Sequence, residues 1–395
     1  MTVMETYKQE ETVSDDHKLA TLAHEYGTPL YVYDLQRLLA KVLEFRAALV
    51  PAGAELFFAT MANDRPQILT FLAQAELGAC VNSLPHLLLA TDAGFGANMI
   101  QFTSTGITPD DMRVLLGGRF RCNLDSISQL EQWFRLGGTE AGLRINAASF
   151  NRGLSPDRIG TSASDLDLAL VTAERMRGLI RGLHIYLGTN FQTPNDMLPT
   201  LEAFFQLAER VKDLCYLNIG GGVGINYSHH GARFDIEAFG NGLAELKEKL
   251  YSRTRRKIEL IFEPGRSITA ECGTFIAKVT DVKSLNGTRF ASVDGSIAVF
   301  PRPFHHPNVP HRIRPVSNRH KLQRFESRGR KAYVVGRTTF SKDILGSAVL
   351  PEGLKPGDLL AFDDAGAYSQ SMTSRFLGQP SPQECFLDIS NFGNQ

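Results

Sequence analysis

The sequence predicts an α/β fold, a (β/α)8 TIM barrel followed by a C-terminal, mainly β domain. Two observations lead to this prediction. Eight short β-type runs alternate with longer amphipathic segments over residues 55–263, and a barrel of this type typically takes about 250 residues. After about residue 266 the helical periodicity fades and β-type runs dominate. A doubly wound sheet is the alternative, but it rarely uses eight consecutive units.

The barrel strands are predicted from short runs of apolar and β-branched residues. In chain order they are ELFFA (55–59), ACVNS (79–83), MIQFT (99–103), FRCNL (120–124), GLRIN (142–146), GLHIY (182–186), YLNIG (216–220) and ELIFE (259–263). Helix-like stretches such as RPQILTFLAQAEL and ISQLEQWFRLGG lie between them. Later runs such as TFIAKVTDV and KAYVVG predict strands of the second domain.

These patterns divide the chain into three regions. Residues 1–27 form a polar N-terminal tail, residues 28–266 the barrel, and residues 267–395 the β domain. The segment TPLYVYD (28–34) is strand-like and precedes the first βα unit. It could therefore belong to the β domain instead of the barrel.

The composition excludes several classes of partner. The formal net charge is zero, so no global field recruits nucleic acid or a membrane. No apolar run is long enough to span a bilayer. The five cysteines are widely spaced and form no C-x-x-C pair, so neither a metal site nor a disulfide framework is expected. With a polar N-terminus that lacks a signal-peptide core, we expect a cytoplasmic protein.

Polar residues cluster where the predicted barrel strands end, which is where barrels carry their chemistry. The run GGGVG (220–224) follows the seventh strand, and Glu263-Pro264-Gly265-Arg266 ends the eighth. Glycines let backbone amides approach an anion, and Arg266 can add a charge-assisted contact. A tight turn alone is the alternative, but the two motifs together favour a phosphate site. His184 ends the sixth strand and could stack on a planar ligand or be structural.

The motifs together resemble the fold-type III pyridoxal-phosphate decarboxylases, the ornithine/diaminopimelate/arginine decarboxylase family, whose barrel is alanine racemase-like. The resemblance runs from about Thr28 to Phe386. The matching segments are TPLYVYD, FFATMAN, GLHIYLGTN, LNIGGGVG, FEPGR, VDGSIAVFPRPF and DAGAYSQSM. The segments HIYLGTN and FLGQPSPQE look most similar to the branch that decarboxylates carrier-protein-tethered amino acids in natural-product pathways.

The resemblance implies pyridoxal 5'-phosphate as the cofactor and assigns roles to individual residues. His184 would stack on the pyridine ring, Glu263 would pair with the ring nitrogen, and Arg144 would belong to the same cofactor site. The phosphate would be held by Thr189, Gly221, Gly222, Gly265, Arg266 and Tyr368. Arg302 and Asp343 would contact the substrate, Asp343 from the partner subunit of a dimer. A homodimer is expected, with a heterodimer as the alternative.

Two positions depart from the family pattern at its catalytic residues. Met61 stands where the family carries the lysine that forms a Schiff base with the cofactor, and a thioether supplies no amine. Thr339 stands where the family carries a catalytic cysteine, and a hydroxyl is a far weaker proton donor than a thiol. Further departures are Cys80 for an aspartate, His86 for a glutamate and Ile107 for a lysine. Several departures together indicate divergence of the whole catalytic apparatus.

Three functions remain open at this level. The first is a decarboxylase, or a relative with altered chemistry, acting on a free or carrier-protein-bound amino acid; Lys342 is then the nearest substitute amine. The second is a non-catalytic, cofactor-binding pseudoenzyme that acts through a partner. A nucleic-acid or scaffold protein is a distant third. Residues 302–331 hold nine Lys/Arg against one acid, which predicts a solvated loop or a docking surface for an acidic carrier protein.

Overall fold

The structure, a computed structural model, describes residues 16–150, 158–227, 229, 232–316 and 329–387. The described residues form two compact units. One unit, the barrel unit, comprises those of Leu39–Ile225 and Ala232–Ile268; the other, the β unit, comprises those of Met1–Leu38, Asn226–Gly231 and Thr269–Gln395. The predicted boundary after residue 266 lies next to the observed division after Ile268.

The described part of the chain contains sixteen β-strands. In chain order they are Leu30–Asp34 (β1), Ala54–Ala59 (β2), Gly78–Val81 (β3), Ile100–Thr103 (β4), Arg121–Leu124 (β5), Glu140–Asn146 (β6), Leu179–Tyr186 (β7), Tyr216–Asn218 (β8), Glu259–Phe262 (β9), Gly273–Leu285 (β10), Thr288–Val293 (β11), Ile313–Val316 (β12), Gly329–Val335 (β13), Ile344–Pro351 (β14), Leu359–Phe362 (β15) and Gln383–Leu387 (β16).

The α-helices fall mostly between the barrel strands. They are Leu35–Leu49 (α1), Pro66–Gln74 (α2), Leu84–Asp92 (α3), Pro109–Gly118 (α4), Ile127–Arg135 (α5), Leu166–Arg175 (α6), Leu198–Ala208 (α7), Ile236–Thr254 (α8), Arg266–Thr269 (α9) and Arg302–His305 (α10). Local sequence explains several starts. Ser83, Ser126 and Asp235 each cap a helix by accepting a backbone N–H bond. Within the described residues, no helix combines the length and apolar character needed to cross a bilayer.

The strands β2 to β9 close into a barrel in chain order. Each neighbouring pair is parallel, including the closing pair in which Ala54 lies opposite Leu260. This confirms the predicted (β/α)8 barrel and excludes a doubly wound sheet, which would be open. The carboxyl ends of all eight strands consequently meet at one face, where the polar strand ends predicted above are brought together.

The β unit is built on a mainly antiparallel sheet. Its strands run in the order β12-β15-β10-β11-β13-β14, and β1 joins it by pairing with both β10 and β16. The strand-like segment at 28–34 thus lies in the β unit: β1 is antiparallel to β10 and parallel to β16. The separate β domain predicted after the barrel is confirmed.

Part of the predicted polar tail is ordered. Residues 16–26 are helical, and Leu19 and Ala23 are buried in a cluster with Leu30, Val32 and Ile276 of the β unit. Residues 1–15 of the tail lie outside the described residues. The hydrophobic contact at every fourth residue explains why this end of the tail folds onto the sheet.

The basic segment 302–331 is only partly a loop. Arg302 lies in the short helix α10 and is 1% exposed, and Ile313–Val316 forms strand β12. Residues 317–328, which carry the middle of the basic segment, lie outside the described residues. The buried Arg302 shows that at least the start of this segment serves packing instead of facing solvent.

Candidate cofactor site

A buried carboxylate–imidazole pair stands at the carboxyl end of the barrel. His184 lies in β7, and Glu263 directly follows β9. Their side chains meet with 3.1 Å between His184 Nε2 and Glu263 Oε2, and both residues are at most 5% exposed. The pairing register places His184 opposite Arg144 on one side and Asn218 on the other. The polar residues at the predicted strand ends therefore included two side chains, His184 and Glu263, that the fold brings into contact.

Glu263 is held as a carboxylate. Burial raises the pKa of its carboxyl, but the His184 imidazole and hydrogen bonds from Asn218 and Cys80 outweigh burial and hold the pKa below its ordinary value. The Asn218 amide donates to Glu263 Oε1 over 2.5 Å. Because an ionised carboxylate only accepts hydrogen bonds, the His184 proton is assigned to Nε2. Burial lowers the pKa of the His184 imidazole, so the neutral ring is favoured.

The glycine run after β8 lies directly against Glu263. The Glu263 N–H donates to the Gly220 carbonyl over 2.7 Å. A Cβ on Gly221 would stand 2.3 Å from the Glu263 carbonyl oxygen, and one on Gly222, whose φ is +112°, would stand 2.7 Å from the Gly188 oxygen. Only glycine fits this close approach of two backbones. The loops that follow β7, β8 and β9 are consequently packed into one cradle.

Arg266 joins the cradle from the other side. It is 6% exposed, and its Nη2 lies 3.3 Å from the Thr189 hydroxyl, which follows β7. A Cβ on Gly265 would meet Ala62 Cβ at 2.8 Å. The structure therefore brings together Thr189, Gly221, Gly222, Gly265 and Arg266, five of the six residues predicted to hold a phosphate.

Arg144 forms a second charged pair near His184. Its Nη1 lies 3.7 Å from Asp125 Oδ1, and burial raises the pKa of Asp125. In the described part of the chain, Arg144 Nε, Asp125 Oδ1 and His184 Nδ1 are buried with no hydrogen-bond partner. Buried polar groups are normally hydrogen-bonded. Three such atoms at one barrel mouth indicate that a polar ligand completes this site.

Met61 lies in the 3₁₀ turn Thr60–Ala62 that ends β2. Its neighbours Thr60 and Ala62 are buried, whereas Met61 is 42% exposed. The Thr60 hydroxyl donates to the Cys80 carbonyl over 3.0 Å and lies 3.1 Å from His86 Nδ1. The turn is thus fixed in place, while the methionine side chain remains accessible.

A charged cluster that the sequence analysis did not predict continues this turn. Arg65 donates to Asp64 Oδ1 over 2.7 Å, and His86 Nε2 lies 3.8 Å from Asp64 Oδ2. Burial raises the pKa of the Asp64 carboxyl, but hydrogen bonds from His86 and Arg65 outweigh burial and lower this pKa to about 2. His86 therefore links Thr60, just before Met61, to Asp64, just after it.

The interior of the barrel holds further polar residues that sequence reasoning missed. Gln101, Asn123 and Asn218 are at most 1% exposed and hydrogen-bonded to one another. Each sits in a run predicted as a strand, but parallel strands buried on both faces show no alternation that separates inward from outward positions. In the runs MIQFT, FRCNL and YLNIG, the one indication of a polar interior was a single amide residue in each run.

The remaining predicted residues lie in the β unit. Asp343 is 4% exposed, and its carboxylate accepts hydrogen bonds from the Ile297 N–H and from the N–H and hydroxyl of Thr338. Thr339 and Lys342 are exposed. Within this chain Asp343 therefore fixes the loop that carries Thr339.

Arg302 and Tyr368 also belong to the β unit. The Arg302 guanidinium lies 3.4 Å from the centre of the Tyr227 ring and donates to the Val309 carbonyl. Its Nη1 also lies 3.0 Å from His311 Nε2. Tyr368 is half-buried and has a left-handed backbone with φ of 53°. These contacts place Arg302 within a buried aromatic and imidazole cluster.

A closed barrel with a buried glutamate–histidine pair and a glycine cradle at its carboxyl end defines a cofactor-dependent TIM-barrel protein. The model of the pyridoxal binding domain of pyridoxal-dependent decarboxylases matches residues 35–270, more than half of the chain. The chain belongs to this family, and the resemblance in its motifs is confirmed. Its cofactor is pyridoxal phosphate.

Individual relatives extend over almost the whole chain. Diaminopimelate decarboxylase of Bacteroides thetaiotaomicron is 28% identical over 90% of this chain and 94% of its own length. The L-glutamyl-[BtrI acyl-carrier protein] decarboxylase of Niallia circulans is 27% identical over 94% and 91%. The structure of Helicobacter pylori diaminopimelate decarboxylase complexed with L-lysine superposes with a TM-score of 0.84 at 25% identity, covering 94% of each chain.

The residues present fit the cofactor in part. The glycine cradle with Arg266 suits a phosphate, and the ionised Glu263 suits a protonated ring nitrogen. The three unpartnered polar atoms of Arg144, Asp125 and His184 leave hydrogen-bonding capacity for a polar ligand. The end of β2 does not fit, because Met61 has no amine for the aldehyde.

Proposed function

We propose that this chain binds pyridoxal phosphate non-covalently at the carboxyl end of the barrel, with amino-acid decarboxylation lost or strongly reduced. The observation that carries the proposal is Met61 at the end of β2, beside a site whose other parts are present. The chain would thus bind the family's cofactor without reaching the family's catalytic rate.

Each residue of the site has a role that follows from its charge and contacts. Bound pyridoxal phosphate supplies an electron sink for a carbanion. Glu263 would hold a proton at the ring nitrogen, and His184 would pack on the ring face. Backbone N–H groups of Gly221 and Gly222 would hold the phosphate, with Arg266 balancing its charge.

No lysine of the barrel unit replaces the missing amine. Its lysines are all among the described residues and lie on α1 or α8 or in the segments that lead into β8 and β9; they are Lys41, Lys212, Lys247, Lys249 and Lys257. None of them follows the carboxyl end of a barrel strand. Lys342 is exposed in the β unit and remains the one substitute amine that we would test directly.

The first test is Met61→Lys, with Met61→Gln as a polar control without an amine. We expect wild-type protein to bind pyridoxal phosphate, and borohydride reduction to label no peptide. In Met61→Lys the reduced cofactor should be attached to the peptide that contains position 61. Decarboxylation of an amino acid should then rise by about 10²-fold or more, since a positioned proton-transfer group contributes that much. Adding Thr339→Cys should increase it further.

Three outcomes would contradict the proposal. If borohydride fixes the cofactor of wild-type protein to Lys342, the chain has a substitute amine. If wild-type protein decarboxylates an amino acid at an ordinary enzymatic rate, Met61 has not impaired the chemistry. Failure of pyridoxal phosphate to bind would reject the site itself.

For the substrate we propose an amino acid, free or tethered to a carrier protein, as in natural-product biosynthesis. Support comes from two relatives whose names state different substrates, diaminopimelate and a carrier-protein-bound glutamyl group. Incubating Met61→Lys with diaminopimelate, free glutamate and a glutamyl carrier protein would separate these possibilities. Carbon dioxide released from none of them would reject this substrate range.

We also propose that the chain works as a cytoplasmic homodimer, with a heterodimer with an active relative as the alternative. Both catalytic positions of the family, those of Met61 and Thr339, are altered here. In the family dimer the two protomers contribute to a shared site, so a heterodimer could regulate the relative without having its own activity. Mass photometry of the chain alone, and after mixing with an active family member, would distinguish the two.

A further inference from the structure

The interior of the barrel is more polar than packing alone requires. Barrels of this type are usually filled by layers of branched apolar side chains, yet Gln101, Asn123 and Asn218 are at most 1% exposed inside this one. Burying an amide is costly unless it is hydrogen-bonded. We therefore infer that the three buried amides do more than stabilise the barrel.

These amides form a continuous chain of hydrogen bonds along the barrel interior. The Tyr216 hydroxyl donates to Asn123 Oδ1 over 2.8 Å, and the Asn123 amide donates to Gln101 Oε1 over 3.1 Å. Asn218 donates to the same Gln101 oxygen over 2.6 Å and to Glu263 Oε1 over 2.5 Å. Tyr216 is the first residue of β8, and Glu263 follows the last residue of β9. This series of hydrogen bonds therefore links the amino-terminal face of the barrel to the Glu263 carboxylate.

A cavity of about 570 Å³ lies at that amino-terminal face. It is formed by the first residues of β5, β6 and β8, by Arg181 in β7 and by the ends of α4 and α5, and Tyr216 forms part of its wall. Ligand sites commonly measure about 300–1,000 Å³. Because the cofactor residues lie at the opposite ends of the strands, this cavity is separate from the site described above.

The barrel makes room for Tyr216 at this position. A Cβ on Gly182 would lie 1.9 Å from the Tyr216 ring, and one on Gly142 would lie 2.3 Å from its hydroxyl oxygen. Burial raises the pKa of the Tyr216 hydroxyl, so it stays protonated and acts as the donor to Asn123. The ring thus contacts the cavity while its hydroxyl is committed to the interior chain.

The lining of the cavity favours an anion with a flat apolar part. It contains three arginines and one acid, with Trp133, Phe120 and Tyr216 as aromatic surface. Two arginines are committed: Arg121 donates to both oxygens of Glu259, and Arg181 lies 3.3 Å from Glu140 Oε1. Across the described ranges, the Arg119 guanidinium has neither a hydrogen-bond nor an ion-pair partner. It is therefore available to bind a carboxylate.

We propose that this cavity, the amino-terminal cavity, binds a small carboxylate that carries a flat ring, and that its occupancy is coupled to cofactor binding through Tyr216 and the buried amides. A ligand against the Tyr216 ring restricts the ring and keeps its hydroxyl on Asn123. This fixes the amides that position the Glu263 carboxylate, so the cofactor binds an already ordered site. Coupling of this kind is reciprocal, and each ligand strengthens the binding of the other by the same factor.

Binding to the cavity can be measured without any cofactor. Trp133 is the one tryptophan of the chain and lines the cavity, so its fluorescence reports occupancy. Titrating the full chain with benzoate should change Trp133 emission in a saturable manner. Benzamide, of the same shape without the charge, should bind more weakly. Arg119→Gln should weaken benzoate binding by about fivefold, as expected for an exposed ion pair, and leave benzamide unaffected.

Cys215 gives an independent measurement of the same cavity. It lines the cavity and is exposed, whereas the other four cysteines are buried. Benzoate should therefore slow alkylation of Cys215 by iodoacetamide, with Cys215→Ser as the unreactive control. Unchanged Trp133 emission together with unchanged alkylation at saturating benzoate would overturn the cavity as a binding site.

The coupling is tested by measuring pyridoxal phosphate binding calorimetrically with and without benzoate. We expect benzoate to lower the Kd of the cofactor by about fivefold, and the cofactor to lower the Kd of benzoate equally. Tyr216→Phe retains the ring in the cavity wall and should bind both ligands, but with the coupling reduced to no more than a factor of two. A purely structural Tyr216 would lower both affinities and leave the coupling intact.

Two results would overturn the coupling. One is equal cofactor affinity with and without benzoate in wild-type protein that shows the Trp133 response. The other is undiminished coupling in Tyr216→Phe. If Tyr216→Phe does not fold, alkylated Cys215 serves as the second measurement, because the attached group occupies the cavity permanently. Alkylated protein should then bind the cofactor with an affinity independent of benzoate, and a remaining benzoate effect would reject the proposal.

Discussion

At the scale of single residues, the proposed loss of decarboxylation rests on Met61, in the turn that ends β2. The surrounding turn is held by Thr60, whose hydroxyl contacts the Cys80 carbonyl and His86. Replacing a lysine by methionine preserves an unbranched side chain of similar length and removes its amine. Under the proposed function, the local backbone would therefore remain in place while position 61 supplies no amine.

The acid stability of the protein should depend on Asp64. Its pKa of about 2 in the folded chain lies below the ordinary value of 3.8, so its ionised form stabilises the fold. This contribution is complete above pH 4 and is lost as the pH falls through about 2. The difference of 1.8 units corresponds to about 2 kcal/mol. Asp64→Asn should lower the free energy of unfolding by about this amount at pH 7 and by little at pH 2.

Urea denaturation at the two pH values measures this effect. Asp213→Asn, at an exposed position, is the control and should change the free energy of unfolding by less than about 0.5 kcal/mol at either pH. An Asp64→Asn variant that loses the same free energy at pH 2 as at pH 7 would show that the carboxylate does not act through its charge.

The sequence was sufficient to find residues at strand ends but not those inside the barrel. Glu263 and His184 could be identified because chemistry in a barrel concentrates at one end of its strands. Asn218, Gln101 and Asn123 could not, since an isolated amide in a buried strand does not reveal its partner. Their roles depend on neighbours up to 117 positions apart, as for Asn218 and Gln101.

At the scale of elements, the loops after β8 and β9 form one unit whose spacing depends on glycine. Gly221→Ala would place a Cβ 2.3 Å from the Glu263 carbonyl and should destabilise the protein by about 2 kcal/mol through overpacking. It should also weaken pyridoxal phosphate binding, because the backbone N–H groups of the cradle move. Thermal unfolding and cofactor titration would measure the two effects.

Gly117→Ala provides the matched control for this substitution. A Cβ at Gly117, near the end of α4, meets nothing within 4 Å, and alanine is the better helix former. This variant should be as stable as the wild type or more stable by up to about 1 kcal/mol. Equal losses in Gly221→Ala and Gly117→Ala would mean that the close approach at the cradle is not the cause.

Residues 16–26 were predicted as part of a polar N-terminal tail, and in the structure they form a helix. Leu19 is nevertheless 6% exposed in the cluster with Leu30 and Val32. Leu19→Ala should therefore cost about 3 kcal/mol, the usual range for a buried leucine. His24→Ala, at an exposed position of the same helix, should cost less than about 0.5 kcal/mol. Chemical denaturation that detects no difference between the two would show that this helix does not contribute to the folded core.

At the scale of the whole molecule, the order of strands and helices was predictable from the sequence. The unit to which β1 belongs was not. Eight βα units in sequence specify a closed parallel barrel almost by count. The membership of β1 was left open between the two domains, because strand propensity does not identify a pairing partner. Its pairing with β16 joins residues that are 353 positions apart, as for Leu30 and Gln383, and no local pattern indicates such a contact.

That pairing has a consequence for how the protein is made. On the ribosome, β1 emerges before the barrel strands β2 to β9, and its parallel neighbour β16 emerges only after all of them. Until then one edge of the apolar strand Leu30–Asp34 stays unpaired even after β10 has joined the other edge. An unpaired edge of this type can associate with other chains. The β unit must therefore complete its sheet after synthesis of the barrel, and its yield in the cell should depend on chaperones that protect β1 during that interval.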